Sequence, residues 1–399
     1  MTDTTDTLPK RLGTGLLTAY GVGIMVGAGI YVLVGHAAGE AGVWAPLAFL
    51  LAGIVAVPSA LSFAELSSRI PEAAGDSAYV EHGLRAHWLA VLVGLINIAA
   101  GIIGGAAVLR GGVGYLTALV PVDPLMAIVA LGGLLTLIAV LGVVESLSFA
   151  AILTAVEVGG LALVVWAGFT AAPTSDWAAP TALHLPGVMA ASIFAFFAFL
   201  GFDDLVNMAE EARDPARQMP RAILWSLAIT SVLYALVTLA AVRAVPLEAL
   251  SESERPLALV WTAATGQHAA FLSSIAVAAA LNGVLAQVVM ASRVFFGLGR
   301  RSRGLAIFHR ANPRFGTPVL ATIVTGAATI AAAAMLPVAL LAEYTTLALL
   351  VVFTIVNAAL IGVKRQKTPS PFSVPVIVPW LGILGALALF VANVQAFLP

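Results

Sequence analysis

The chain of 399 residues has no cysteine, which removes disulfide frameworks, thiol nucleophiles and thiolate metal sites together. Charge is scarce too: 10% of residues are Asp, Glu, Lys or Arg, where a soluble domain carries about a quarter, so no soluble shell can be assembled. The net charge of −1 says nothing about nucleic acid, and with no basic run longer than a few residues no nucleic-acid partner is expected. There is no H-E-x-x-H and no G-x-x-x-x-G-K-[ST] loop, so neither a zincin site nor an ATP-driven motor is written here. The six histidines, His36, His82, His87, His184, His268 and His309, fall mostly at the ends of apolar segments, which disfavours a membrane-embedded enzyme. No catalytic residue, cofactor or metal is expected. Residues 1–14 lack the positive start of a signal peptide and read as a short cytosolic tail.

Apolar length is what the chain has in quantity: 61% of it is hydrophobic and its mean hydropathy is +1.03. Segments long enough to cross about 30 Å of hydrocarbon lie at roughly 15–37, 45–66, 87–119, 124–143, 147–169, 187–208, 221–243, 269–298, 318–336, 338–362 and 374–397. Leu336-Pro337 separates two of them. The expectation is an all-α polytopic membrane protein with about eleven spans. Positive residues stay on the cytoplasmic side. With the N-terminus inside, sixteen of the 19 Lys and Arg fall on one side, leaving Arg110, Arg243 and Arg255 on the other. That places the N-terminus in the cytoplasm and the protein in the cytoplasmic membrane, surrounded by lipid.

Glycine is concentrated in the first span, where Gly21, Gly23, Gly27 and Gly29 fall within nine residues. Each costs a helix interior about 1 kcal/mol relative to alanine, so helical hydrogen bonding is expected to fail there. Such a break is tolerated at membrane depth only where it faces protein or a water-filled cavity. Segment six, five spans later, holds Gly201 followed by Asp203 and Asp204, at a depth where charge is expensive. Transporters built from inverted repeats place discontinuous helices at matching positions of their two halves. The halves are then 15–169 (spans 1–5) and 187–362 (spans 6–10), with an additional helix over 374–399.

The residues also carry a resemblance. Val26-Gly-Ala-Gly-Ile-Tyr31, Ala60-Leu-Ser-Phe-Ala-Glu-Leu-Ser-Ser-Arg-Ile-Pro-Glu-Ala-Ala-Gly75, Phe196-Phe-Ala-Phe-Leu-Gly-Phe-Asp203, the loop 209–221, and Ser292-Arg-Val-Phe-Phe-Gly297 leading to Thr317-Pro318 resemble, in order, motifs of the amino acid, polyamine and organocation transporter superfamily. The resemblance implies a five-plus-five inverted repeat of the leucine-transporter type and secondary transport of amino acids or related amines by alternating access. Members usually carry twelve spans where eleven are visible here, which bears on any homodimer contact made outside the core.

Freed N–H groups at Gly27, Ala28 and Gly29 can hold a carboxylate at the positive end of the following half-helix. Freed carbonyls near Phe197, Ala198 and Leu200 can accept from an ammonium. With Ile24, Ile30, Gly201 and Asn282 these make the candidate substrate contacts; the competing role for Asn282 is interhelical glue. Phe197 matches a position where the resemblance implies an aromatic closing over the substrate, and Phe202 is a second gate candidate. Glu157 and Asp203 are the candidate ion-coupling carboxylates, because burial can bring a carboxyl into a useful range for protons; Asp204 reads as a helix cap. Relatives can carry a lysine at the position of Glu157, so the coupling ion is a proton or sodium, the proton being preferred. Glu65 and Arg69, four apart on one helical face, are a candidate gate pair, with Arg221 or Arg293 as further partners. The third span, 97–105, offers no acid to a cationic side chain, which points to neutral substrates, and its glycines leave room for a side chain. The alternatives are an exchanger and, in another class, a non-transporting sensor.

Overall fold

The computed structural model describes residues 12–70, 75–142, 147–179, 182–312, 316–366 and 369–397. Residues 1–11 of the tail expected over 1–14 and motif positions 71–74 lie outside the described residues, and Thr14, expected in that tail, is already the first residue of a helix. Among those described, 84% of the chain is helical and no strand forms beyond one isolated bridge between Leu12 and Ala212.

The first apolar segment is two helices, α1 (Thr14–Val26) and α2 (Ala28–Ala41), and α3 (Ala45–Arg69) returns across the molecule. Next come the short α4 (Gly75–Leu84), then α5 (His87–Leu116), α6 (Pro124–Leu141), α7 (Leu147–Thr170) and a single turn, α8 (Ser175–Ala178). The sixth segment begins with α9 (Leu185–Phe199), ends in an irregular stretch and continues as a 3-10 segment, Asp204–Glu211. The second half holds α10 (Pro215–Ala244), α11 (Leu247–Glu252), α12 (Pro256–Thr265), α13 (Ala270–Arg301), α14 (Val319–Met335), α15 (Val338–Arg365) and α16 (Ile377–Phe397). Every apolar segment marked from the sequence therefore contains a helix. Among the described residues nine helical runs are long and apolar enough to cross a membrane, α2 and α3 counting as one run, and α14 falls one residue short of that length.

Local chemistry sets the ends. Asp123 caps α6 by accepting from the Met126 amide at 2.9 Å, with Pro124 at the first helical position, where its missing N–H is no loss. The His184 ring nitrogen accepts from the Gly187 amide at 3.2 Å to start α9. Pro337 stands between α14 and α15 as expected.

Four helix pairs repeat one relation. Helix α2 packs on α9, α3 on α10, α5 on α13 and α6 on α14, so each of these elements of the first half lies against the one five spans later. Small residues allow the approach: added side chains at Gly101, Gly105 and Gly112 of α5 would meet Ala291, Gln287 and Ala280 of α13 at 3.2, 3.3 and 2.4 Å. This corrects the expectation that the third-span glycines leave room for a substrate side chain. Helix packing uses that room at Gly101 and Gly105, while a Cβ at Gly104 would meet Thr345 of α15 at 3.2 Å and the Phe197 ring at 4.0 Å.

Candidate functional site

Of the four clustered glycines one breaks the helix and three let neighbours in. Gly27, with ψ of −173°, ends α1 and starts α2. Side chains at Gly21 and Gly23 would collide with Ser226 of α10 and Thr154 of α7, and one at Gly29 would stand 3.3 Å from the Ala198 Cα and 3.4 Å from the Phe197 ring. No side chain caps α2, so the first-turn amides after Gly27 point into the break without an internal partner, as the start of any helix leaves them. Ala28 is described by its backbone alone.

The second break spans Leu200 to Asp203. Leu200 is extended, and Gly201 has φ of +121°, which an L side chain adopts only with strain. A Cβ there would stand 2.3 Å from Ile24 Cγ2. Ile24 therefore faces Gly201 while Gly29 faces Ala198: the two breaks lie against each other. The Asp203 carboxylate accepts from the Gly201 amide at 3.0 Å and holds the turn shut.

Tyr234 of α10, which sequence reasoning missed, joins the breaks. Its hydroxyl stands 2.5 Å from the Met25 carbonyl and 3.0 Å from the Ala198 carbonyl, and with one hydrogen it serves them in turn. The Ala198 carbonyl, expected to be free for an ammonium, is thus held by a side chain, and that of Phe197 accepts from the Leu200 amide at 3.1 Å. A lone tyrosine in an otherwise aliphatic stretch was the available signal. Behind it, the Tyr31 hydroxyl donates to the Glu157 carbonyl oxygen at 3.3 Å, and Tyr115 donates to the Tyr31 carbonyl at 2.7 Å. Glu157 is buried in α7, one turn past the Thr154 that fills the space left by Gly23.

Phe197 and Phe202 sit in different surroundings. Phe197 lines a narrow apolar crevice of about 10 Å3, room for about one water, together with Gly29, Val32, Leu33, Ala107, Val108 and Val338. Phe202 is fully buried, its ring 5.9 Å from Phe63 and 5.2 Å from Phe353, with Phe63 stacking edge-on against Tyr79 of α4. Ile30 is buried in the core. Asn282, half-buried in α13, is not among the residues lining the crevice.

Glu65 is fully buried near the end of α3. It accepts from Arg69 at 2.6 Å, from Lys364 of α15 at 2.6 Å and from the Val374 amide at 2.8 Å. The partner is Lys364, where the sequence suggested Arg221 or Arg293; both of those are exposed. Nearby, Asp76 opens α4, with its carboxylate accepting from Asn97 at 2.6 Å. Burial first, and Asp203 second, push the Asp76 carboxyl up to about 7 against the opposing pull of Asn97.

These features define a class: a multi-pass, all-helical membrane protein whose two interrupted helices meet at their breaks. The chain belongs to the amino acid permease family, whose model matches residues 12–399. It is similar to the vacuolar cationic amino acid transporter 4 of Arabidopsis thaliana, 30% identical over 390 residues that cover 91% of this chain and 64% of the relative. It is similar also to the branched-chain amino acid permease BcaP of Bacillus subtilis (strain 168), 25% identical over 408 residues covering 96% and 88%, and to the methylthioribose transporter of that bacterium, 28% identical over 412 residues covering 95% and 87%. The chain spans less than two thirds of the length of the cationic transporters it matches. The family and these relatives are permeases and transporters, not enzymes.

Proposed function

We propose that this protein carries amino acids across the cytoplasmic membrane by alternating access around the two breaks. The observation that supports this best is their direct apposition, Gly29 on Ala198 and Gly201 on Ile24. A substrate carboxylate takes the amides of Gly27, Ala28 and Gly29, where donors and the positive end of α2 coincide. The ammonium goes to the second break near Leu200, and Tyr234 yields one carbonyl as the site opens. Residues 15–169 and 187–362 act as inverted repeats, which accounts for the four helix pairs related by five spans; residues 374–399 add a helix outside them. The N-terminus is cytoplasmic, so the Lys364 end of α15 faces inward and the Phe197 crevice outward.

The apolar crevice favours neutral substrates, since no carboxylate lines it. The names of several relatives favour cationic ones, and that is the competing reading. Coupling is to protons, through Glu157 beside the first break and Asp203 on the second; Phe197, Phe202 and the Glu65–Arg69 pair act as gates. Uptake of labelled neutral and cationic amino acids into proteoliposomes, under imposed proton or sodium gradients, tests all of this. Neutral uptake driven by a proton gradient is expected. Loss of neither gradient dependence nor exchange in Glu157→Gln together with Asp203→Asn would sink the coupling residues, and binding without any flux would leave a sensor.

A further inference from the structure

Helix α15 holds one more buried acid, Glu343, which none of the roles above uses. It is 7% exposed and faces Asn393 of α16, itself 5% exposed. The Asn393 amide nitrogen donates to Glu343 Oε1 at 2.8 Å, while Asn393 Oδ1 is buried with no hydrogen-bond partner. A carboxamide offers donors and an acceptor, whereas an ionised carboxylate only accepts. Ionised Glu343 can therefore answer one half of Asn393, whichever way the amide is turned. A protonated carboxyl can answer both, giving its O–H to the amide oxygen and taking the amide N–H.

The surrounding charges agree with this. The charged group acting on Glu343 from another element is a second acid, Glu40, near the end of α2. His36, a turn earlier in α2, lays its ring against Phe194, and Tyr344 beside Glu343 is 44% exposed. Among the described residues Glu343 makes no ion pair. Its helix also closes the crevice: Val338 lines it, Thr345 abuts Gly104 next to Phe197, and Thr346 donates to the Ile193 carbonyl of α9 at 3.3 Å.

We propose that Glu343 binds and releases a proton and that Asn393 is the partner of its protonated form, making the α15–α16 contact a proton-dependent joint on the crevice side of the molecule. The proton comes from water at that face and returns to it, and no other group changes. Loss of the proton orphans the Asn393 oxygen and loosens α15 where it holds α9 and the crevice. This site is separate from Glu157 and Asp203, so it stands even if transport is coupled elsewhere.

Infrared spectroscopy of the purified full chain in lipid tests it across a pH series. The wild type is expected to show a protonated-carboxyl band that vanishes on raising the pH. Glu343→Gln is expected to remove that band, and Asn393→Leu to shift both its frequency and the pH at which it vanishes. If Glu343→Gln does not fold, the Asn393→Leu shift carries the test alone. A band left unchanged by both substitutions, or by Asn393→Leu where only that variant folds, overturns the proposal.

Discussion

The two sides of the paired breaks are sealed by unlike means. Toward Val338 a single ring, Phe197, stands over an apolar crevice. Toward Lys364 the seal is thick: Phe63, Phe202 and Phe353 stack within 6 Å of one another, Glu65 gathers Arg69, Lys364 and the Val374 amide, and Leu12 bridges Ala212. In an alternating-access cycle one seal must yield while the other holds. A seal of one side chain yields at little cost to the fold, whereas the thick one is part of the fold. On the proposed alternating-access cycle, the Phe197 side is therefore the one expected to open first.

The largest effect is expected where charge is buried. Removing one partner of a buried ion pair typically costs about 3–5 kcal/mol, because the other charge is left uncompensated. Lys364 and Arg69 both lean on a Glu65 carboxylate with no exposed area. Glu65→Ala should lower the thermal unfolding midpoint of the purified protein by many degrees, and the same substitution at exposed Glu248 should leave it in place. Equal midpoints for the two variants would mean that the thick seal is not held by this cluster.

Next comes the aromatic pair, which compares the two sides directly. Truncating a buried phenylalanine costs about 3–5 kcal/mol, and Phe202 is closed in on every side. Phe202→Ala should therefore destabilise strongly. Phe197→Ala, beside an existing crevice, should change stability far less and instead raise the KM for uptake or open a leak. Unfolding midpoints together with initial uptake rates separate the two; matching profiles would remove the distinction between a gate and a plug.

Much of this was legible because membrane helices announce themselves locally. Apolar runs, a Leu-Pro boundary and glycine clusters are properties of neighbouring residues, so the segments and the break at Gly27 could be read from the chain. The partners of those residues could not. Lys364 lies 299 positions from Glu65 and Tyr234 209 positions from Met25, and only the packed bundle brings them together. Polarity at mid-depth flagged Glu157 and Asp203, yet Glu343 and Asn393 carried the same signal and were passed over, since neither adjoins a glycine or a motif. The third-span glycines show the opposite error: local sequence reads a missing side chain as space, and packing decides whether a neighbour fills it.

A smaller effect is expected at the second break. Gly201→Ala places a Cβ at φ of +121° and 2.3 Å from Ile24 Cγ2. A residue held in such a conformation costs about 1–3 kcal/mol, and the displaced Ile24 would pull the first break away from the second. Uptake should fall at least about tenfold, the factor that about 1.4 kcal/mol gives, with the protein still folded. Wild-type transport by this variant would separate the breaks functionally despite their contact.

The smallest effect sharpens the thick side by pH. Asp76 starts from an ordinary carboxyl value of 3.8 and is raised to about 7 by burial and by Asp203. A carboxyl raised on folding stabilises fully below its unfolded value, and that contribution is lost as the pH climbs through the folded one. Wild-type thermal stability should therefore contain a component that declines between about pH 4 and pH 7. Asp76→Asn retains an acceptor for Asn97 but cannot ionise, so the decline should flatten and stability above pH 7 should match or exceed the wild type. Thermal melts of both proteins across that range decide it: parallel curves would place the pH sensitivity of this side elsewhere, while a flattened curve would show that the acid beside the second break tightens the seal when it carries its proton.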